Sequence, residues 1–162
     1  MNMMPVMTDD SAAASKLTAK KESGNRFTDT TTIPWTKLFL NGVEYKLLDY
    51  NGERCTVLVR VAKGVKLAIH QHIDPVELYL FDGSFGYTDA ATGTTDMIYG
   101  QGYMYEPPGT VHEPVSPDGF TGLAIIYGNV RGFDANGNEV LIGPKDYYET
   151  ARANGATAHL DK

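Results

Sequence analysis

The sequence predicts an all-β sandwich or barrel followed by one short C-terminal helix. Three observations carry this reading. Ahead of residue 144, five Asn-Gly or Asp-Gly pairs, at 41–42, 51–52, 82–83, 118–119 and 136–137, punctuate the chain. Both residues of such a pair tolerate the positive φ that tight hairpin turns require. Short runs between the pairs alternate or are wholly apolar, as strands do. One segment alone, 144–153, carries the start and stop signals of a helix.

Taken in order, residues 1–26 are small and polar without a period, and read as a flexible tail, at most a frayed helix over 11–21. A single domain over 27–162 follows, with order beginning near Ile33-Pro34-Trp35. Strands are expected at Val43–Asp49 and at Arg54–Val61. In the second, Cys55, Val57, Val59 and Val61 share one face, with Arg54, Thr56 and Arg60 on the other. Further strands are expected at Val65–Gln71, Glu77–Asp82, Ser84–Thr88, Asp96–Tyr99, Tyr103–Glu106, Val111–Val115, Thr121–Tyr127 and Val130–Phe133. In the helix, Pro144 suits the first position, Asp146 complements the N-terminal dipole and Asn154-Gly155 stops the run. Tyr147, Tyr148 and Ala151 form its apolar face. His159 lies beyond it, with no function expected.

Composition narrows the function. A chain of 162 residues can bury a core without disulfide staples. The net charge of -6 lacks the basic footprint of a nucleic-acid binder. Cys55 is the sole cysteine, which rules out a disulfide framework and a cysteine-rich zinc cluster. In its alternating run it reads as a small buried hydrophobe. No apolar stretch is long enough for a membrane helix, and the N-terminus lacks a signal-peptide core. A cytoplasmic protein without membrane or nucleic-acid partners is expected.

Three of the four histidines lie between Gly64 and His112. In His70-Gln71-His72, strand periodicity puts both imidazoles on one face. A third histidine on a returning strand completes a facial metal site. Any one of them alone reads as a hydrogen-bonded structural residue; the three together favour a metal held by His70, His72 and His112.

Gly64, His70, His72, Glu77 and Gly83, followed by Pro107, Gly109 and His112, resemble the paired motifs of the cupin superfamily over about residues 33–150. The resemblance implies a double-stranded β-helix, a barrel of the jelly-roll kind. One glycine of the second motif is displaced: Gln101 stands in its place, between Gly100 and Gly102. A second departure concerns the ligands. Four-ligand cupins have three residues between the second histidine and the ligand Glu, and six between that Glu and the glycine. Here four separate His72 from Glu77, and five separate Glu77 from Gly83. Counted back from Gly83, the ligand position is Val76. A one-residue shift turns Glu77 to the opposite face; a bulge would restore it as a fourth ligand.

The spacing from His70 to Glu77, with Glu106 six residues before His112, resembles the acetylacetone-cleaving dioxygenases. The 105–112 stretch is also similar to the 2,4'-dihydroxyacetophenone dioxygenases, and 131–140 resembles a hairpin after the barrel in both. The resemblance implies a non-haem Fe(II) enzyme that uses O2 to cleave a carbon–carbon bond beside a carbonyl. The implied substrate is a small β-diketone or aryl hydroxyketone, and the implied ligand set is three histidines with no carboxylate. Zn or Ni would also satisfy such ligands. Glu106 is expected to act catalytically from behind the ligands, holding an imidazole N–H, orienting water or taking a substrate proton; a rim salt bridge is the alternative. Phe85, Tyr87, Tyr103, Tyr105 and Tyr127, with Met104, Leu123 and Ile125, are the expected pocket wall. A homodimer or homotetramer is expected, with Leu67 and Ile69 offered as outer apolar residues. Two other readings compete. One is a zinc-binding regulatory or sensor cupin without turnover; the related anti-sigma factors carry an N-terminal zinc domain whose Cys and His ligands residues 1–32 lack. The other is a cupin isomerase or epimerase with a metal-free histidine base, which needs fewer histidines than are present.

Overall fold

The computed structural model describes residues 26–38, 42–89 and 92–161. The expected tail over 1–26 and the frayed helix over 11–21 therefore fall, Arg26 apart, outside the described residues. The strands are β1 (Thr36–Lys37), β2 (Val43–Tyr50), β3 (Cys55–Val61), β4 (Val65–Lys66), β5 (His70–His72), β6 (Val76–Thr88), β7 (Thr95–Tyr99), β8 (Tyr103–Glu106), β9 (Val111–Ser116), β10 (Phe120–Ile126), β11 (Val130–Phe133) and β12 (Glu139–Ile142). Helix α1 spans Pro144–Ala153.

The strands form one 12-stranded sheet whose main path runs β1-β2-β3-β10-β6-β9-β5-β11-β12, with β4 on β9 and with β7 and β8 on β6. The sheet curls on itself as a jelly-roll barrel, and β6 is where it turns the corner. Its first half pairs with β10 and β8, and its second half with β7 and β9. The turn expected at Asp82-Gly83, dividing two strands, is corrected here: the chain bends without reversing. Thr121 opposes Asp82 while Gly122 opposes Leu80, so Phe81 is left as an extra residue, a bulge. Gly83 sits at φ 78, and a Cβ there would lie 2.0 Å from the Gly119 carbonyl oxygen. Gly83→Ala is therefore expected to destabilise the fold by at least about 1–3 kcal/mol, the usual cost of a side chain in left-handed backbone. An unchanged thermal melting point would contradict this.

The expected strand over Val65–Gln71 is broken into β4 and β5, because the chain leaves β9 after Lys66 and rejoins it at His70. At the C-terminal side, β11 and β12 pair from Val130↔Ile142 to Phe133↔Glu139 around the Asn136-Gly137 turn. Helix α1 has the expected bounds. The Gly143 N–H donates to the Asp146 carboxylate at 2.8 Å, Tyr148 stacks on Tyr50 at 4.6 Å, and the Tyr45 hydroxyl donates to the Tyr147 carbonyl at 2.7 Å.

The alternation read in the sequence sets the core. Val43, Tyr45 and Leu47 of β2, Cys55, Val57 and Val61 of β3, Leu78 and Leu80 of β6, and Phe120, Ala124 and Ile126 of β10 are all buried. Burial pushes the Cys55 thiol up to about 12, so it packs as an inert hydrophobe. Among the described residues, no helix is long and apolar enough to cross a membrane.

Candidate metal centre

Two strands and one turn build the centre. Strand β5 lies between β9 and β11, with His70 paired to His112 and His72 to Val130. Alternation along β5 sends His70 and His72 to the same face, and the ladder brings His112 beside them. The Pro107–Thr110 turn is latched to His72 at both backbone groups: Gly109 N–H donates to the His72 carbonyl at 2.7 Å, and His72 N–H to the Thr110 carbonyl at 3.1 Å. The local sequence thus fixes β5 against the start of β9.

One ring nitrogen of each histidine lies within 4.8 Å of the others, and the ring centroids are 4.8–4.9 Å apart. His70 Nδ1 lies 2.9 Å from the Ala68 carbonyl oxygen. A carbonyl only accepts, so Nδ1 carries the proton and Nε2 keeps a free lone pair. That Nε2 sits 3.0 Å from His72 Nε2. His72 Nδ1 and His112 Nε2 are buried with no hydrogen-bond partner among the described residues. Buried polar nitrogens are rarely left unmatched, and a cation is a partner that suits these two together with the Nε2 lone pair of His70. Burial, reinforced by His70 and His72, pushes His112 down to about 3. Burial likewise lowers His70. Both rings are neutral near neutral pH, which is the ligating form. Tyr87 stacks on the His112 ring at 3.6 Å between centroids, tilted by 10°.

Glu106 joins the cluster. Its Oε2 lies 2.8 Å from His72 Nε2, and it is 5% exposed. It is paired across the ladder with Val76, so the inward position at this level of β6 is an apolar one. Glu77 points the other way. The register of β6 against β10 is regular from Val76 to Leu80, so no bulge turns Glu77 inward. It accepts a hydrogen bond from the Tyr127 hydroxyl at 3.2 Å, on the outer face. The one-residue shift against Gly83 implies this outward direction, and the bulge that would make Glu77 a fourth ligand is not found between Val76 and Leu80. Glu77→Ala is expected to leave metal stoichiometry unchanged, which metal analysis of the purified variant checks.

A cavity of 430 Å³ adjoins the histidines, with His70, His72 and Glu106 on one wall and Val57, Val76, Leu78, Ala124, Ile126, Val130 and Ile142 among the rest. Phe85 and Tyr87 line it as expected. Tyr103, Tyr105 and Tyr127 do not, and their assignment to the pocket is corrected. They are 57%, 51% and 39% exposed: Met104 and Glu106 take the inward positions of β8 between and beside Tyr103 and Tyr105, and Tyr127 follows the buried Ile126 at the end of β10. Leu123 and Ile125 are outward for the same reason, flanking Gly122, Ala124 and Ile126 on β10. Leu67 and Ile69, offered as outer residues, both border the cavity, and Ile69 is at the same time 55% exposed. Val57, Leu78, Ala124 and Ile126 were not named as wall residues. Strand parity, anchored on Glu106 and the Cys55–Val61 alternation, was the signal that locates them.

A family model described as the ChrR cupin-like domain matches residues 23–130. No curated protein sequence matches the chain. Among solved structures, the chain is similar to an acetylacetone dioxygenase from Acinetobacter johnsonii, at 19% identity, covering 85% of this chain and 97% of that one with a TM-score of 0.68. It is similar to an RmlC-like cupin protein from Ralstonia eutropha JMP134, at 19% identity, covering 80% and 87% with a TM-score of 0.69. A cupin-like protein of unknown function from the same organism matches at 21% identity, covering 90% and 91% with a TM-score of 0.64. At these identities the likeness is one of fold.

Proposed function

This chain belongs to the ChrR cupin-like domain family, and we propose that it is a non-haem Fe(II) dioxygenase. Its reaction is cleavage of a carbon–carbon bond beside a carbonyl in a small β-diketone or aryl hydroxyketone. The observation that carries this reading is the convergence of His70, His72 and His112 beside an apolar cavity that His70 and His72 line, with Glu77 turned outward.

Iron, when bound, supplies Lewis acidity and a site where an enolate and dioxygen meet. The residues of the chain do the rest. Three neutral imidazoles add no negative charge, so the centre they hold favours an anionic, chelating substrate over a neutral one. The Ala68 carbonyl fixes the tautomer and orientation of His70. Tyr87 fixes the plane of His112 by stacking. Glu106, buried against His72, is placed to take the acidic proton between two carbonyls and to hold it on a carboxylate oxygen. The aliphatic wall excludes water and so strengthens each of these interactions.

A zinc-binding regulatory domain without turnover is the second reading, and the ChrR-like family match favours it. Oxygen uptake separates the two. Protein reconstituted with Fe(II) without air, then exposed to a panel of β-diketones and hydroxyketones, is expected to consume oxygen only when a ketone is present. Bound metal with no ketone-dependent uptake across the panel would support the regulatory domain.

A further inference from the structure

We infer that the substrate of this centre carries an apolar arm of phenyl size or longer, which lies inside the barrel while the carbonyl head meets the histidines. This rests on the dioxygenase reading above and specifies its substrate class. The cavity volume is 430 Å³, within the range of about 300–1,000 Å³ that encloses drug-sized ligands. The smallest diketones would leave most of it empty, and apolar wall atoms without a partner forfeit their dispersion contacts.

The lining also decides the chemistry of the arm. The polar groups that a ligand head can use, His70, His72 and Glu106, are gathered on one wall. Elsewhere on the lining, the Tyr45 hydroxyl is engaged by the Tyr147 carbonyl. The Asp134 carboxylate is engaged by the backbone N–H groups of Asn136 and Asn138 and by the Asn138 side chain. The remainder of the wall is largely aliphatic and aromatic, so it recognises shape and not hydrogen-bonding pattern. The cavity extends away from the histidines as far as Phe120. Its width at mid-barrel comes from β10, where Ala124 stands between Val57 and Leu78. A larger residue at 124 would occupy the path of the arm.

The test compares 2,4-pentanedione with 1-phenyl-1,3-butanedione. Calorimetry on Zn(II)-loaded protein measures binding without turnover. The phenyl ketone is expected to bind about tenfold or more tightly, since even one methylene in an apolar pocket contributes that much. Ala124→Leu should abolish this preference while keeping Zn(II) stoichiometry and a cooperative melt; Ala124→Val, a smaller intrusion, should reduce it. Equal binding of the two ketones, tighter binding of 2,4-pentanedione, or no binding of either would overturn the inference. So would a preference left intact by a folded Ala124→Leu protein. With Fe(II), equal kcat/KM for both ketones would overturn the apolar arm and leave the dioxygenase reading standing. A retained binding preference with no oxygen uptake for either ketone would overturn the dioxygenase reading and uphold the arm.

Discussion

Replacing His112 with alanine is expected to abolish tight metal binding and, with it, ketone-dependent oxygen uptake. His112 is cross-strand to His70, its Nε2 is buried without a partner among the described residues, and Tyr87 holds its ring plane. Partners that merely support a ligand contribute about 10–100-fold in affinity, so loss of a ligand outright should exceed that range. The truncation leaves the β5–β9 backbone pairing intact, so the fold should persist. Metal content after dialysis, with a circular dichroism melt as control, measures the effect. A folded His112→Ala protein that retains stoichiometric metal would show that the three histidines do not share an ion.

Glu106→Gln should act on turnover and not on metal content. The amide preserves the shape of the side chain beside His72 but removes its charge and its capacity to take a proton. Turnover is expected to fall about 10–100-fold, the usual loss when a group supporting a metal site is altered. Iron stoichiometry should stay at the wild-type level. Iron analysis and oxygen-electrode rates on the same preparation separate the two quantities. Parallel loss of iron and activity would make Glu106 a ligand; unchanged turnover would make it a structural partner of His72.

Much of the centre was legible because strand parity is a strict rule. His70 and His72 are two residues apart on β5 and must share a face, and counting from Gly83 places Glu77 outside. The same rule, applied from Glu106, would have sent Tyr103 and Tyr105 outward. The aromatic character of those residues suggested a pocket, although parity decides which way a strand residue points. The bend at Gly83 was legible only in part. An Asp-Gly pair supplies positive φ equally to a hairpin and to a bulge, and the choice depends on the partner strand: here Gly119 and Phe120 lie against Gly83. The break between β4 and β5 has no local signal, because both halves follow the pattern of one strand. The cavity was not legible. Its volume is set by side chains from β3, β6 and β10, which are far apart in sequence and meet only through the register of the sheet.

The most direct test is a stoichiometric titration on the wild-type chain. Protein reconstituted with Fe(II) in the absence of air is mixed with 1-phenyl-1,3-butanedione and then with measured amounts of oxygen. Iron, oxygen consumed and ketone cleaved are then counted. The expected result is one iron per chain, lost in the His112→Ala variant, and one dioxygen consumed for each ketone cleaved. Full iron occupancy with no oxygen consumed, here and across a wider panel of β-diketones and hydroxyketones, would contradict the assignment of this centre to dioxygenase chemistry.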